Sequence, residues 1–133
     1  MLVTKREKSM RSNYVEVVGV LTDYFDGLYN SDTSILAKVF HPAAHYVCVT
    51  DGTFRRLTLD EYFPIVDQRP SPASRNEPRH DRVVSIEFAG PVTAFARAEC
   101  SIGPKFFTDF LTFICIDGRW QIISKVFHYD LRQ

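Results

Sequence analysis

Phe106-Phe107-Thr108-Asp109-Phe110-Leu111-Thr112-Phe113-Ile114-Cys115-Ile116, the pair Asp117-Gly118, and Arg119-Trp120-Gln121-Ile122-Ile123-Ser124-Lys125-Val126-Phe127-His128 form the stretch that decides the fold. Two β-rich runs joined by Asp-Gly are a hairpin signal, because a type I′ turn needs positive φ at both central residues and Asp-Gly tolerates it. The turn also sets a register. With Ile116 facing Arg119, Cys115 falls opposite Trp120, Phe113 opposite Ile122, Leu111 opposite Ser124 and Asp109 opposite Val126, all on one face. That face is mostly apolar, with Asp109 and His128 as diagonal neighbours at the end away from the turn. Titratable side chains on a core-facing surface mark a candidate site for chemistry or ligand binding. The other face carries Lys125, Phe127, Ile123, Thr112, Ile114 and Phe110, apolar enough to expect an interface there, with Lys125 as an interface or rim charge.

Upstream of the hairpin, Val17, Val18, Leu21, Tyr24, Phe25 and Leu28 fall at three-and-four spacing, which predicts an amphipathic helix over 14–29 with Asn13 as a cap. A short second helix starts at Asp32 or Thr33 and is stopped by His41-Pro42, since the residue before proline is pushed out of the α region. His45 to Thr50, the turn Asp51-Gly52, and Thr53 to Leu57 make a smaller hairpin. Thr58-Leu59-Asp60-Glu61 is a capping box, and the helix it opens runs to about Asp67 with Pro64 inside it. Arg69 to Pro78 is a proline-rich loop. Arg82 to Phe88 and Val92 to Ser101 are strands, the second alternating Ala94, Ala96, Ala98 and Cys100 with larger residues. A strip of small side chains makes room for a helix or a cavity. The fold class is α+β, with helices against one face of a curved, mostly antiparallel sheet.

The chain has 133 residues, enough for one core, and residues 13–133 are expected to form that single domain after a flexible tail of residues 1–12. Sixteen basic and sixteen acidic residues leave no field that would favour nucleic acid or an anionic membrane, and no apolar run is long enough to span one. Cys48, Cys100 and Cys115 lie apart within apolar runs, without metal-ligand spacing. They are expected to be small buried hydrophobes in a cytoplasmic protein.

Val39-Phe40-His41-Pro42-Ala43-Ala44, Leu57-Thr58-Leu59-Asp60-Glu61-Tyr62, Arg69-Pro70-Ser71-Pro72, Phe107-Thr108-Asp109-Phe110-Leu111 and the closing Asp117-Gly118-Arg119-Trp120 follow one another in an order that resembles the nuclear-transport-factor-2-like superfamily. The likeness spans about residues 14–129 and is nearest to its small lumazine-binding or polyketide-cyclase-like proteins. The resemblance implies a cone-shaped sheet wrapped around the helices (a cystatin-like roll), a deep pocket, and a homodimer packed through the outer sheet face. It does not fix an activity, because members include isomerases, dehydratases, cyclases and non-enzymatic modules.

Asp109 and His128 are the candidate catalytic pair, an Asp in a dry pocket serving as a base and His128 orienting it or moving its proton. Tyr46, Tyr62, Phe63 and His41 are the candidate ligand contacts, the aromatics offering apolar faces and phenol ends. His41 and His45 are four apart, yet Pro42 interrupts the helix between them, and neither a metal nor another cofactor is expected. These residues point to a domain that binds a small apolar or aromatic molecule. As an enzyme it would be a cofactor-independent isomerase, dehydratase or cyclase; the alternative is a non-catalytic binding or dimeric scaffold protein whose cone is filled by its own aromatics.

Overall fold

The computed structural model describes residues 5–132, with side chains from residue 10. Helices α1 (Lys5–Tyr29) and α2 (Thr33–Val39) lead into strand β1 (Phe40–Cys48), followed by β2 (Arg55–Leu57), α3 (Leu59–Gln68) and the meander β3 (Arg82–Phe88), β4 (Thr93–Ile102), β5 (Lys105–Ile116) and β6 (Arg119–Leu131). The six strands make one sheet in the order β2-β1-β6-β5-β4-β3. Every pairing is antiparallel except β1 with β6. The starts of α2 and α3 have local causes. The Asp32 carboxylate accepts from the amides of Ser34 and Ile35 to start α2, and the capping box at Thr58 and Glu61 starts α3. Segment 5–12, expected to be a flexible tail, is helical. It is rich in straight-chain Lys, Arg, Glu and Met, which lose little rotamer freedom in a helix. Residues 1–4 lie outside the described residues.

The core lies between α1 and the inner face of the sheet. Val17, Leu21, Tyr24, Phe25 and Leu28 of α1 are buried, as are Ala94, Ala96, Ala98 and Cys100 on β4. The small-residue strip therefore lies inside, as expected of a strand that must make room for a helix. Leu111, Phe113 and Ile122 complete the floor, and Trp120 closes the turn end, its indole donating to Asn13 Oδ1 at 3.2 Å. Among the described residues no helix is long and apolar enough to cross a membrane.

Asp117 (φ 52°) and Gly118 (φ 76°) form the expected turn with positive φ at both positions. A Cβ at Gly118 would meet nothing within 4 Å, so any cost of adding one comes from the backbone alone. Gly118→Ala is accordingly expected to lower the unfolding free energy by about 1–2 kcal/mol in urea titration. An unchanged midpoint would contradict the left-handed conformation at this position.

Candidate functional site

From Ile116↔Arg119 to Phe113↔Ile122 the hairpin pairs as the turn dictates. The ladder then slips. Thr112 pairs with Ser124, Leu111 with Lys125, Asp109 with Phe127 and Thr108 with His128, so Ile123 is an extra residue on β6. A bulge of one residue exchanges the two faces of the strand beyond it. Lys125 and Phe127, expected on the outer face, turn inward and are buried; Val126 and His128 turn outward. The expected pairing of Asp109 with His128 on one face is thereby corrected: Asp109 remains inside, and Lys125 replaces the histidine as its diagonal neighbour.

Lys125 is 4% exposed, and its ammonium lies 5.2, 5.5, 5.5 and 5.1 Å from the ring centres of Tyr24, Tyr46, Tyr62 and Phe127. The four rings come from α1, β1, α3 and β6. Each offers the negative face of its π-system to the cation, an attraction strengthened where water is excluded. Burial works against the ammonium, while the acidic groups around it, Tyr62 and then Asp109, work for it. The balance holds the Lys125 proton above the ordinary lysine range. Asp109 is the one carboxylate in that set, so it is the natural counter-charge.

Asp109 has no solvent exposure. Its Oδ2 accepts from the Tyr24 hydroxyl at 2.5 Å, and its Oδ1 is buried with no hydrogen-bond partner. Ala98 is its neighbour on β4, a small residue beside the point where the Tyr24 phenol meets the carboxyl. Burial raises the Asp109 carboxyl above its ordinary value, and Lys125 and the Tyr24 hydrogen bond only partly offset that. Burial, followed by the Asp109 charge, pushes the Tyr24 hydroxyl well up, so Tyr24 stays a donor.

A cavity of about 20 Å³ lies against Lys125, lined also by Leu28, Tyr46, Tyr62, Arg69, Cys100, Ile102 and Phe107. It has room for a single water. The large pocket expected of the cone is absent here, because the cone's own aromatics occupy it: Tyr46 and Tyr62 stack with ring centres 4.5 Å apart, and Tyr46 packs on Phe127 at 4.6 Å. Arg69 ends α3 and opens the proline-rich loop. That loop is fastened at its far end, where Tyr29 donates to the Glu77 carbonyl at 2.8 Å, the Gly103 amide donates to the Glu77 carboxylate at 2.8 Å, and Arg79 pairs with Asp26 and Asp81.

Of the other expected contacts, Tyr46 and Tyr62 line this cavity. Phe63 packs beside Tyr62 at 6.1 Å between centres, outside the lining. His41 lies by the Asp117-Gly118 turn, its Nδ1 accepting from the Ala43 amide, at the opposite end of the hairpin. His128 is 58% exposed at its side chain; Nδ1 lies 3.0 Å from Thr50 Oγ1 and Nε2 3.0 Å from Asp130 Oδ1. Neither histidine reaches the cavity. Tyr24, Lys125 and Arg69 are the residues that sequence reasoning did not assign to the site. The Tyr24 position on the helix core face and the Arg69-Pro70-Ser71-Pro72 run were the available signals.

Comparison with known proteins agrees with this architecture. A model of the family described as "Putative lumazine-binding" matches residues 12–128. A protein named "Aldolase FrzH" from Cladobotryum sp. is 30% identical over 119 residues, covering 88% of this chain and 91% of its own. An NTF2-like protein of unknown function from Shewanella baltica superposes with a TM-score of 0.81 at 24% identity, covering 97% of this chain and 98% of its own. A Novosphingobium aromaticivorans protein described as a "Putative Scytalone Dehydratase" gives 0.65 at 14% identity, covering 93% of this chain and 88% of its own.

The raised Asp109 carboxyl carries a pH signature. Above the ordinary aspartate value the folded chain holds a proton that the unfolded chain has released. The contribution of this group is therefore complete below the unfolded value and is lost as pH rises through the folded one. Asp109→Asn removes the titration. The stability of the variant relative to wild type should grow as pH is raised from about 4 and level off once the native carboxyl has ionised. Urea unfolding across a pH series measures this, and a difference that stays constant would mean that folding leaves the carboxyl unshifted.

Proposed function

We propose a function for a chain that belongs to the putative lumazine-binding family within the NTF2-like fold: it is a small-molecule-binding domain that performs cofactor-independent proton transfer next to a carbonyl group. The observation that carries this reading is the buried carboxyl of Asp109, tied to Tyr24 through one oxygen and without a partner at the other, beside the buried ammonium of Lys125. Enolisation needs a base for the C–H proton and a positive charge where the oxygen becomes negative. Asp109 supplies the first and Lys125 the second. Burial makes the carboxyl more basic than in water, and the Tyr24 hydrogen bond fixes its orientation. Lys125 and Cys100 line the cavity; Asp109 does not, and sits diagonal to Lys125 across the β5–β6 ladder, so in this reading a substrate must reach it beside Lys125.

Aldol addition, isomerisation, dehydration and cyclisation all pass through such an enol or enolate. The relative named an aldolase, at 30% identity over most of both chains, supports carbonyl chemistry of this type, as does the fold-level likeness to the protein described as a scytalone dehydratase. His128 has no part in it, since it faces solvent on the other side of the sheet.

Exchange of α-protons in deuterated water tests the reading without a known substrate. With phenylacetone as the probe, NMR is expected to show exchange above the buffer rate, a loss of at least about 100-fold in Asp109→Asn, and no change in His128→Ala. Undiminished exchange in Asp109→Asn would remove the base.

A second reading rests on the small cavity. A cone filled by Tyr46, Tyr62 and Phe127 suits a binding or scaffold domain, and an absence of exchange in the wild-type protein would favour it. Assembly as a homodimer fits either reading. Phe110 and Val126, each 45% exposed, lie on the outer sheet face beside Phe95, and an isologous contact would cover them. Phe110→Glu is expected to shift the light-scattering mass from dimer to monomer; a wild-type monomer would overturn this assembly.

A further inference from the structure

The guanidinium of Arg69 has two atoms, Nε and Nη2, that are buried without a hydrogen-bond partner. These two nitrogens are the side-on edge of the guanidinium, whose N–H bonds run parallel and match the two oxygens of a carboxylate. A buried donor left unpaired is costly, more so on a charged group, and one whole recognition edge left unpaired points to a missing acceptor. That edge belongs to a residue lining the same small cavity as the buried ammonium of Lys125. Two cations therefore border one cavity, and among the described residues neither forms an ion pair within 4 Å.

We propose that Arg69 anchors a carboxylate, and that the ligand of this domain is a small organic acid with an apolar or aromatic body. This rests on the reading of the cavity as the ligand site and adds the class of molecule it takes. The acid group lies against the Arg69 edge, which leaves Lys125 for the carbonyl oxygen of the reacting end. Tyr46, Tyr62, Ile102 and Phe107 supply the apolar surface for the rest of the molecule. The parallel donor pair matches a carboxylate or a phosphate, and the narrow space favours the smaller, planar carboxylate. Arg69 is a binding residue in this assignment: it holds the end of the molecule that does not react, and so sets which carbon is presented toward Asp109.

Calorimetric titration with sodium benzoate, benzamide and inorganic phosphate separates the outcomes. Benzoate is expected to bind the wild-type protein saturably. Benzamide, its neutral isostere, and phosphate should each bind at least about tenfold more weakly. Arg69→Gln should abolish benzoate binding, and Arg69→Lys, which keeps the charge but loses the parallel donors, should weaken it by at least about tenfold. Circular dichroism and urea midpoints of both variants verify that the fold persists. Benzoate affinity unchanged in Arg69→Gln overturns the proposal, as do benzamide or phosphate binding as tightly as benzoate, or no saturable benzoate binding to wild type. The proton-transfer reading fails separately: if Arg69→Gln still binds benzoate while Asp109→Asn loses exchange on the neutral ketone, only the carboxylate anchor falls.

Discussion

The interior of this domain is organised around one buried ammonium. Removing a charge of that size from water costs several kcal/mol even after the protein has relaxed around it, so Lys125 can stay inside only if its surroundings return most of that cost. The return comes from every layer of the fold: a ring from α1, one from β1, one from α3, one from β6 itself, and the carboxylate of Asp109 on β5. The helices thus do more than cover a hydrophobic sheet. Tyr24 takes part twice, giving its ring to Lys125 and its hydroxyl to Asp109, and so couples the docking of α1 to the charge state of the core.

Such an arrangement is a poor choice for stability alone. A buried charge is costly even where its surroundings compensate it, so an apolar residue in place of Lys125 would pack at less cost, and an unpartnered carboxylate oxygen adds a further penalty. The same features are what proton transfer to or from a carbonyl compound would use: a carboxyl made basic by its dry setting, and a fixed cation where negative charge would form. Arg69 repeats the pattern at the cavity rim. Its unpaired edge is another polar group left unsatisfied where an apolar residue would pack at less cost.

Much of the architecture was legible in the sequence because it is set by local chemistry. Asp117-Gly118 dictated the closing hairpin, Asp32 and the Thr58–Glu61 box started their helices, and the alanines of β4 marked the face that receives α1. Asp109 was placed inward correctly because alternation along β5 is uninterrupted. Beyond Ile123 on β6 it failed. Ile122 and Ile123 are identical residues that suit either face, so nothing in the residue types announced the bulge, and the one-residue slip exchanged Lys125 for His128 at the site. Arg69 was hidden for a different reason. Where a guanidinium at a helix end points depends on how the following loop returns, and that loop is held by Glu77 and Arg79, eight and ten residues later.

The size of the cavity follows from the same cage. Tyr46 and Tyr62 stack on each other and around Lys125, and they fill the space a ligand would occupy. Tyr46 is the more exposed of the two: it is partly open to solvent on β1, whereas Tyr62 is buried within α3. Swinging Tyr46 aside would give up its contacts with the rings of Tyr62 and Phe127, each worth about 0.5–1.5 kcal/mol beyond the area buried, together with its share in the cage around Lys125. The open form is then a minor state, and ligand affinity falls by the fraction of open molecules. The closed cone and a ligand-binding role are therefore compatible. An entering acid would replace the stacked phenol with its own apolar body and satisfy the Arg69 edge in the same movement, so the groups left unpaired in the closed form supply part of the free energy that opens it.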